Sequence, residues 1–422
     1  MSDSDTPAAT HREPGYERTI VTAHCHRETA GGDYPRELDA VISAQMAEDA
    51  RAEISTWPGY APTPLVALPA LAQALSIEEL LYKDESERFG LGSFKALGGA
   101  YAVLRLATEW LESHAGTQAT PAAIRAGDFR ERLKNLTVVT ATDGNHGRSV
   151  AWGAQMAGCR CRIYIHAGVS QGRQQAMEAL GAEVVRIDGD YDDSLRLCAR
   201  EAADNGWFVV SDTSYEGYMD VPRQVMAGYT VMADEVLDRI ADRPPSHVFI
   251  QAGVGGLAAS VLARFWQRLG ERRPRVVIVE PERAACVLES ARRDRPAAVK
   301  IEEETVMAGL SCGEVSLLAW QVLARGAEDF ISIGEDEVAP VMRLLAAGKA
   351  GERPIVAGES AVPGLIGLIG VAARPDLRRA IGLDADSRVL VFGCEGATDP
   401  EIYRAIIEEP AAWPPSLPEL GQ

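Results

Sequence analysis

Eight short β-branched runs recur along the chain, each separated from the next by a helical period: "LLYKD", "LTVVTAT", "CRIYIHA", "AEVVRID", "WFVVSD", "HVFIQAG", "RVVIVEP" and "RVLVFG". They are too continuously apolar to lie half-exposed, so both faces of the sheets they form must be covered. Strands of four to eight residues alternating with helices build βαβ units with right-handed crossovers. The sequence therefore predicts an α/β fold with open, twisted, mostly parallel sheets flanked by helices. A chain of 422 residues with 46% hydrophobic content can bury a large core and divides naturally into two lobes.

Other classes are disfavoured. No stretch reaches the roughly 18 to 20 uninterrupted apolar residues of a membrane helix. The opening "MSDSDTPAATHREPGYERT" lacks an apolar core like that of a secretion signal. A cytoplasmic globular protein is expected. A formal charge of −19 repels nucleic acid and anionic membranes, which leaves a small molecule as the expected partner. Seven cysteines, at 25, 159, 161, 198, 286, 312 and 394, show no paired spacing, in keeping with reduced thiols. The triplet His24, Cys25 and His26 has no second ligand pair after it, so no metal is expected. Residues 1–35 are polar and read as a flexible arm, and "ESHAGTQATPAAIRAGDFRE" reads as a surface excursion.

Three motifs could carry chemistry. In "FIQAGVGGLAASV", Gly253, Gly255 and Gly256 follow a buried strand and open a helix, where bare N–H groups can hold a phosphate. A tight strand-to-helix turn would explain the same glycines. A dinucleotide site is also compatible with the loop, with Glu280 as its acid, although Ala259 stands where a third glycine is needed. In "TATDGNHGRSVAW", Asp143, Asn145, His146 and Arg148 crowd polar groups around a turn at a helix start. Here simple N-capping is the alternative. Finally, "GSFKALGGAY" places Lys95 among Phe94, Ala96, Leu97 and glycines. Burial there would lower its pKa and favour Schiff-base formation, unless the ammonium escapes to solvent. An imine-forming lysine, a phosphate loop and an asparagine loop together are the parts that bind pyridoxal 5'-phosphate.

In this order, "SFK", "DGNHG" and "GVGG" resemble the β-family, or fold type II, of pyridoxal-phosphate enzymes, the tryptophan synthase β-like fold. The segments "KDESERFGLGSFKALGGAY", "ATDGNHGRSVAW", "DTSYEGY", "MAGLSCGE" and "EGATDP" are similar to the diaminopropionate ammonia-lyase family, over residues 36 to about 405. That family converts 2,3-diaminopropionate to pyruvate and two ammonias. The resemblance implies that Lys95 carries the cofactor and Asn145 bonds its 3'-oxygen. It implies that the amides of Gly253, Val254, Gly255, Gly256 and Leu257 hold its phosphate, and that Cys394 faces the pyridine nitrogen. Lys95 would take the Cα proton of the L-isomer and Asp143 that of the D-isomer. Thr142, Gly144 and His146 would clamp the substrate carboxylate, Asp212 or Asp143 would protonate the leaving amine, and Tyr191 would stand near the substrate amine.

The resemblance further implies a large cofactor-binding domain from 36–95 and 216–422, a small domain from 96–215, and a homodimer. Two positions depart from the family pattern: "AGESAVPGL" carries Pro363 where a glycine is expected nearby, and Gly92 precedes "SFK". β-Elimination from serine, threonine or hydroxyaspartate therefore stays open, as does a non-catalytic protein that kept the cofactor site.

Overall fold

The computed structural model describes residues 19–25, 29–142, 144–240, 242–351 and 353–409. Among the described residues, eleven strands form two sheets. The larger has seven strands in the order β1-β10-β9-β8-β11-β3-β2. These are β1 (Ile20–His24), β2 (Leu65–Ala67), β3 (Glu79–Asp84), β8 (His247–Gln251), β9 (Arg275–Pro281), β10 (Asp329–Ile333) and β11 (Arg388–Gly393). The smaller has four, in the order β6-β5-β4-β7, from β4 (Thr137–Ala141), β5 (Arg160–Ile165), β6 (Glu183–Arg186) and β7 (Phe208–Val209). Pairing is parallel except at the two flanks of the large sheet, where β1 and β2 run antiparallel to β10 and β3. β4, β8 and β10 are buried along their whole length, as strands covered on both faces must be.

Three of these strands, β1, β2 and β10, are absent from the eight runs read in the sequence. Within the stretch read as a flexible arm, β1 pairs with β10 from Ile20 opposite Ile333 to His24 opposite Phe330. Ile20 is buried against Gly370, where a Cβ would come within 2.8 Å of its Cδ1. The following segment is also tied down: the Trp266 indole N–H donates to the Gly32 carbonyl at 2.8 Å. β10, "DFISI", was hidden by the acidic residues before it. The segment read as a surface excursion holds the short helix Pro121–Ala126, with Ile124 buried, and leads into a second, Arg130–Leu133, with Leu133 buried.

The helix Lys95–Ala115 lies between the sheets and explains the glycines of "KALGGAY". A Cβ on Gly98 would stand 2.4 Å from the Tyr229 ring, and one on Gly99 2.4 Å from Ser149 Oγ. Gly228 faces the Leu97 carbonyl and Gly153 faces Ala100 with equally little room, at 2.3 and 2.7 Å. Two helices thus seat at near-backbone contact on this one: Asn145–Ala157, beside the small sheet, and Asp220–Ile240, beside the large sheet. Ser149 fixes the first seat by donating to the Lys95 carbonyl at 2.6 Å and accepting from the Ala100 N–H at 3.0 Å. Lys95 is held at the junction by packing on both sides.

No helix among the described residues is long and apolar enough to cross a membrane.

Candidate active site

The C-terminal ends of β4, β8 and β11 open onto one cavity, the position at which parallel α/β sheets hold ligands. Thr142, Gly144, Asn145 and His146 reach it from the end of β4, and Gly253 to Leu257 from the end of β8. Cys394 arrives from β11, Lys95 from the first turn of its helix, and Asp212 and Tyr191 from the segments around β7 and β6. Most of the residues singled out from sequence therefore share one space; Asp143 lies outside the described residues, and Arg148 and Glu280 do not line the cavity.

The loop after β8 has the form of an anion cradle. Gly255 adopts φ +93, a left-handed conformation that costs other residues roughly 1–2 kcal/mol, and its missing Cβ would sit 3.1 Å from Leu323. A Cβ on Gly253 would meet Cys312 Sγ at 3.1 Å. The helix Gly256–Leu269 starts directly after, so N–H groups and the positive helix end face the cavity. Gly255→Ala should weaken binding of a phosphate-bearing ligand about tenfold through this strain. Titrating pyridoxal 5'-phosphate into the apo-protein measures the effect.

Lys95 behaves differently from the sequence expectation. Its Nζ forms a short ion pair with Asp212 Oδ2. Burial alone would lower the lysine's pKa, but the Asp212 carboxylate outweighs it and holds the group above its ordinary value. Burial alone would likewise raise the Asp212 pKa, and the ammonium keeps it well below the usual carboxylate range. The resting pair is thus ammonium and carboxylate. His146 stands alongside, its Nδ1 3.9 Å from Asp212 Oδ2 and its Nε2–H donating to the Val210 carbonyl at 2.8 Å. Burial depresses its pKa, so the imidazole is neutral and Nδ1 keeps its lone pair.

Sequence reasoning missed Arg173, Tyr229, Gln251, Ser360 and Glu395, which also line the cavity. Gln251, Ser360 and Glu395 stand within the quoted stretches "FIQAGVGG", "AGESAVPGL" and "EGATDP", but nothing local marks them as facing a cavity. Arg173 comes from the helix Gln171–Glu178; its stem lies over Gly144, and its guanidinium reaches Glu359 of the 357–363 loop at 2.9 Å. Burial and the neighbouring Glu395 push the Glu359 carboxyl up to about 7. Tyr229 packs on Phe94 with ring centroids 4.6 Å apart.

Three buried polar atoms on the cavity wall, His146 Nδ1, Tyr229 OH and Gln251 Oε1, have no hydrogen-bond partner among the described residues. Such atoms are costly unless something polar meets them. A buried amine, a glycine cradle and unpaired polar atoms around them fit a cofactor with an aldehyde, a phosphate and a polar ring.

Residues 56–395 match the family described as pyridoxal-phosphate dependent enzyme, and the chain belongs to that family. Within it the chain groups with the diaminopropionate ammonia-lyases. The enzyme of that name from Escherichia coli (strain K12) is 38% identical over 383 residues, covering 88% of this chain and 94% of its own. Its counterpart from Salmonella typhimurium is 38% identical over 359 residues, 83% of this chain and 89% of its own. A crystal structure of the Escherichia coli diaminopropionate ammonia lyase in complex with D-serine aligns with TM-score 0.81 and 36% identity, covering 92% of this chain and 98% of that one.

Proposed function

We propose that the chain eliminates ammonia from 2,3-diaminopropionate to give pyruvate and a second ammonia. The convergence of Lys95, Asn145 and the 253–257 loop on one cavity, in a chain 38% identical to enzymes of that activity, carries this reading. Pyridoxal 5'-phosphate bound there supplies the electron sink that makes the Cα proton of an amino acid removable. Lys95 is assigned its covalent attachment, Asn145 its 3'-oxygen, and the 253–257 amides its phosphate. Cys394 is assigned the pyridine nitrogen. Burial raises the thiol's pKa and keeps it neutral, so it lacks the charge by which an aspartate would hold a proton on that nitrogen. That favours prompt departure of a group on Cβ.

The remaining steps fall to the chain's own side chains. The N–H groups around Thr142 to His146, at the start of the helix Asn145–Ala157, are assigned the substrate carboxylate. Once its amine is neutral, Lys95 takes the Cα proton from one face, and Asp143 is assigned the same task on the other. As the Cβ–N bond breaks, its electrons pass to nitrogen, and those left by the Cα proton form the new carbon–carbon double bond. Asp212, hydrogen-bonded to Lys95, is assigned the relay of the proton that leaves with the amine. The 2-aminoacrylate released is hydrolysed by water to pyruvate and ammonia. Tyr191 is assigned to the substrate amine.

This reading carries two lobes, 36–95 with 216–422 and 96–215, in a cytoplasmic homodimer; the four-stranded sheet falls within the second lobe. Each isomer of 2,3-diaminopropionate, supplied alone to purified holoenzyme, should release pyruvate. Asp143→Asn should cut the D-isomer rate about 100-fold or more while leaving the L-isomer within a fewfold. Turnover of serine or threonine with no activity on either diaminopropionate isomer would overturn the substrate, and equal loss of both isomers would overturn the separate bases.

A further inference from the structure

Asn145 and Glu395 meet across the cavity from different sheets, 250 positions apart in sequence. The Asn145 Nδ2 donates to Glu395 Oε2. Glu395 Oε1 accepts the Ser360 N–H at 3.0 Å, and the side chain, only 4% exposed, forms no ion pair with Lys, Arg or His among the described residues. Ser360 is itself fixed: its carbonyl accepts the Cys394 S–H at 3.1 Å and its Oγ accepts the Gly309 N–H at 3.1 Å. Gly358 lets this loop lie against Glu395, since a Cβ there would come within 3.0 Å of Oε1.

We infer that Glu395 is a positioning residue that sets which end of the Asn145 amide faces the cofactor. The inference rests on the reading of Asn145 as the partner of the cofactor's 3'-oxygen. The oxygen and the NH2 of an asparagine have nearly the same shape, so packing does not choose between them. Glu395 does, because both its oxygens act as acceptors here: Oε1 takes the Ser360 N–H and Oε2 takes the Asn145 NH2. One Nδ2 hydrogen goes to Glu395, and the second remains for an oxygen in the cavity. A turned amide would present its own oxygen to the 3'-oxygen and lose the bond. Glu395, Ser360 and Cys394 thus form one tied unit that reaches the assigned neighbours of both the 3'-oxygen and the pyridine nitrogen.

The test is a double-mutant cycle read on cofactor binding rather than turnover. Pyridoxal 5'-phosphate is titrated into apo-protein for the wild type, Glu395→Gln, Asn145→Ala and the double variant. The dissociation constant is measured, together with the pH at which the visible absorption of the attached cofactor changes. Glu395→Gln is isosteric, but with its oxygen kept for the Ser360 N–H its NH2 faces Asn145 and draws the oxygen end of that amide towards it. It should raise the dissociation constant about tenfold and shift the spectral titration. In the Asn145→Ala background the same change should add nothing, because its effect passes through Asn145. A Glu395→Gln protein indistinguishable from wild type in both readouts would overturn the inference, as would an undiminished effect in the Asn145→Ala background. If Asn145→Ala alone moved neither readout, the assignment of Asn145 would fall first and the inference with it, a pattern distinct from the other two.

Discussion

Lys95→Ala should abolish pyruvate release, lowering the rate by at least about 1,000-fold, and should leave no cofactor attached to the chain. Borohydride treatment of the wild type followed by digestion and mass measurement should find the pyridoxyl adduct on Lys95, and the variant should show none. The size of the effect follows from the geometry. The carbonyl of Lys95 is bonded to Ser149, and its helix is seated on both sides through glycines that leave no slack. Among the described residues, no other lysine lines the cavity. A lysine that retained its adduct elsewhere while Lys95→Ala stayed active would refute the assignment. Because the resting amine is paired with Asp212, reaction with the aldehyde requires it first to give up a proton. Asp212→Asn should therefore speed deprotonation of Lys95 while removing the relay to the leaving amine.

The second large effect concerns stability. Lys83, Glu85, Arg88 and Glu235 form a buried charge network beneath the turn that leads to Lys95. Glu235 accepts from Lys83 at 2.5 Å and from both Arg88 Nη atoms at 2.8 and 2.7 Å. Replacing it with leucine leaves two buried cations sharing Glu85, and should cost about 3–5 kcal/mol, read as an earlier urea midpoint. The loss has a pH signature. Burial alone would raise the pKa of Glu235, but its bonds to Arg88 and Lys83 hold it near 2, from an ordinary 4.5. A depressed carboxylate contributes stability above its unfolded value, and that contribution is lost as pH falls towards its folded one. The wild type should therefore weaken between pH about 4.5 and 2 more steeply than Glu235→Leu, and equal slopes would exclude Glu235 as the source.

What could be read from the sequence was what is written locally. "HVFIQ" and "RVLVFG" are buried parallel strands because their apolar runs permit nothing else, and the turns after them announce the cavity. "DGNHG" and "GVGG" are short motifs whose backbone requirements are visible in their residues. β1 escaped because one strand's worth of β-branched residues in a polar context owes its pairing to β10, more than 300 positions away. Lys95 lines the cavity, yet its charge differs from the sequence expectation, since burial was visible in its neighbours and Asp212, 117 positions on, was not. Glu395 and Arg173 were missed for the same reason. Each acquires its meaning from a group on another part of the fold, Asn145 for the first and Glu359 for the second.

The antiparallel flank strand β1 also has a bearing on how this protein behaves in a crowded solution. Its five residues cover the backbone donors and acceptors of β10, a fully buried strand with the sequence "DFISI". Stripped of that cover, β10 would offer a flat apolar template on which neighbouring molecules could add strands and propagate into insoluble assemblies. β1 therefore guards the folded chain against self-templating as well as completing the sheet.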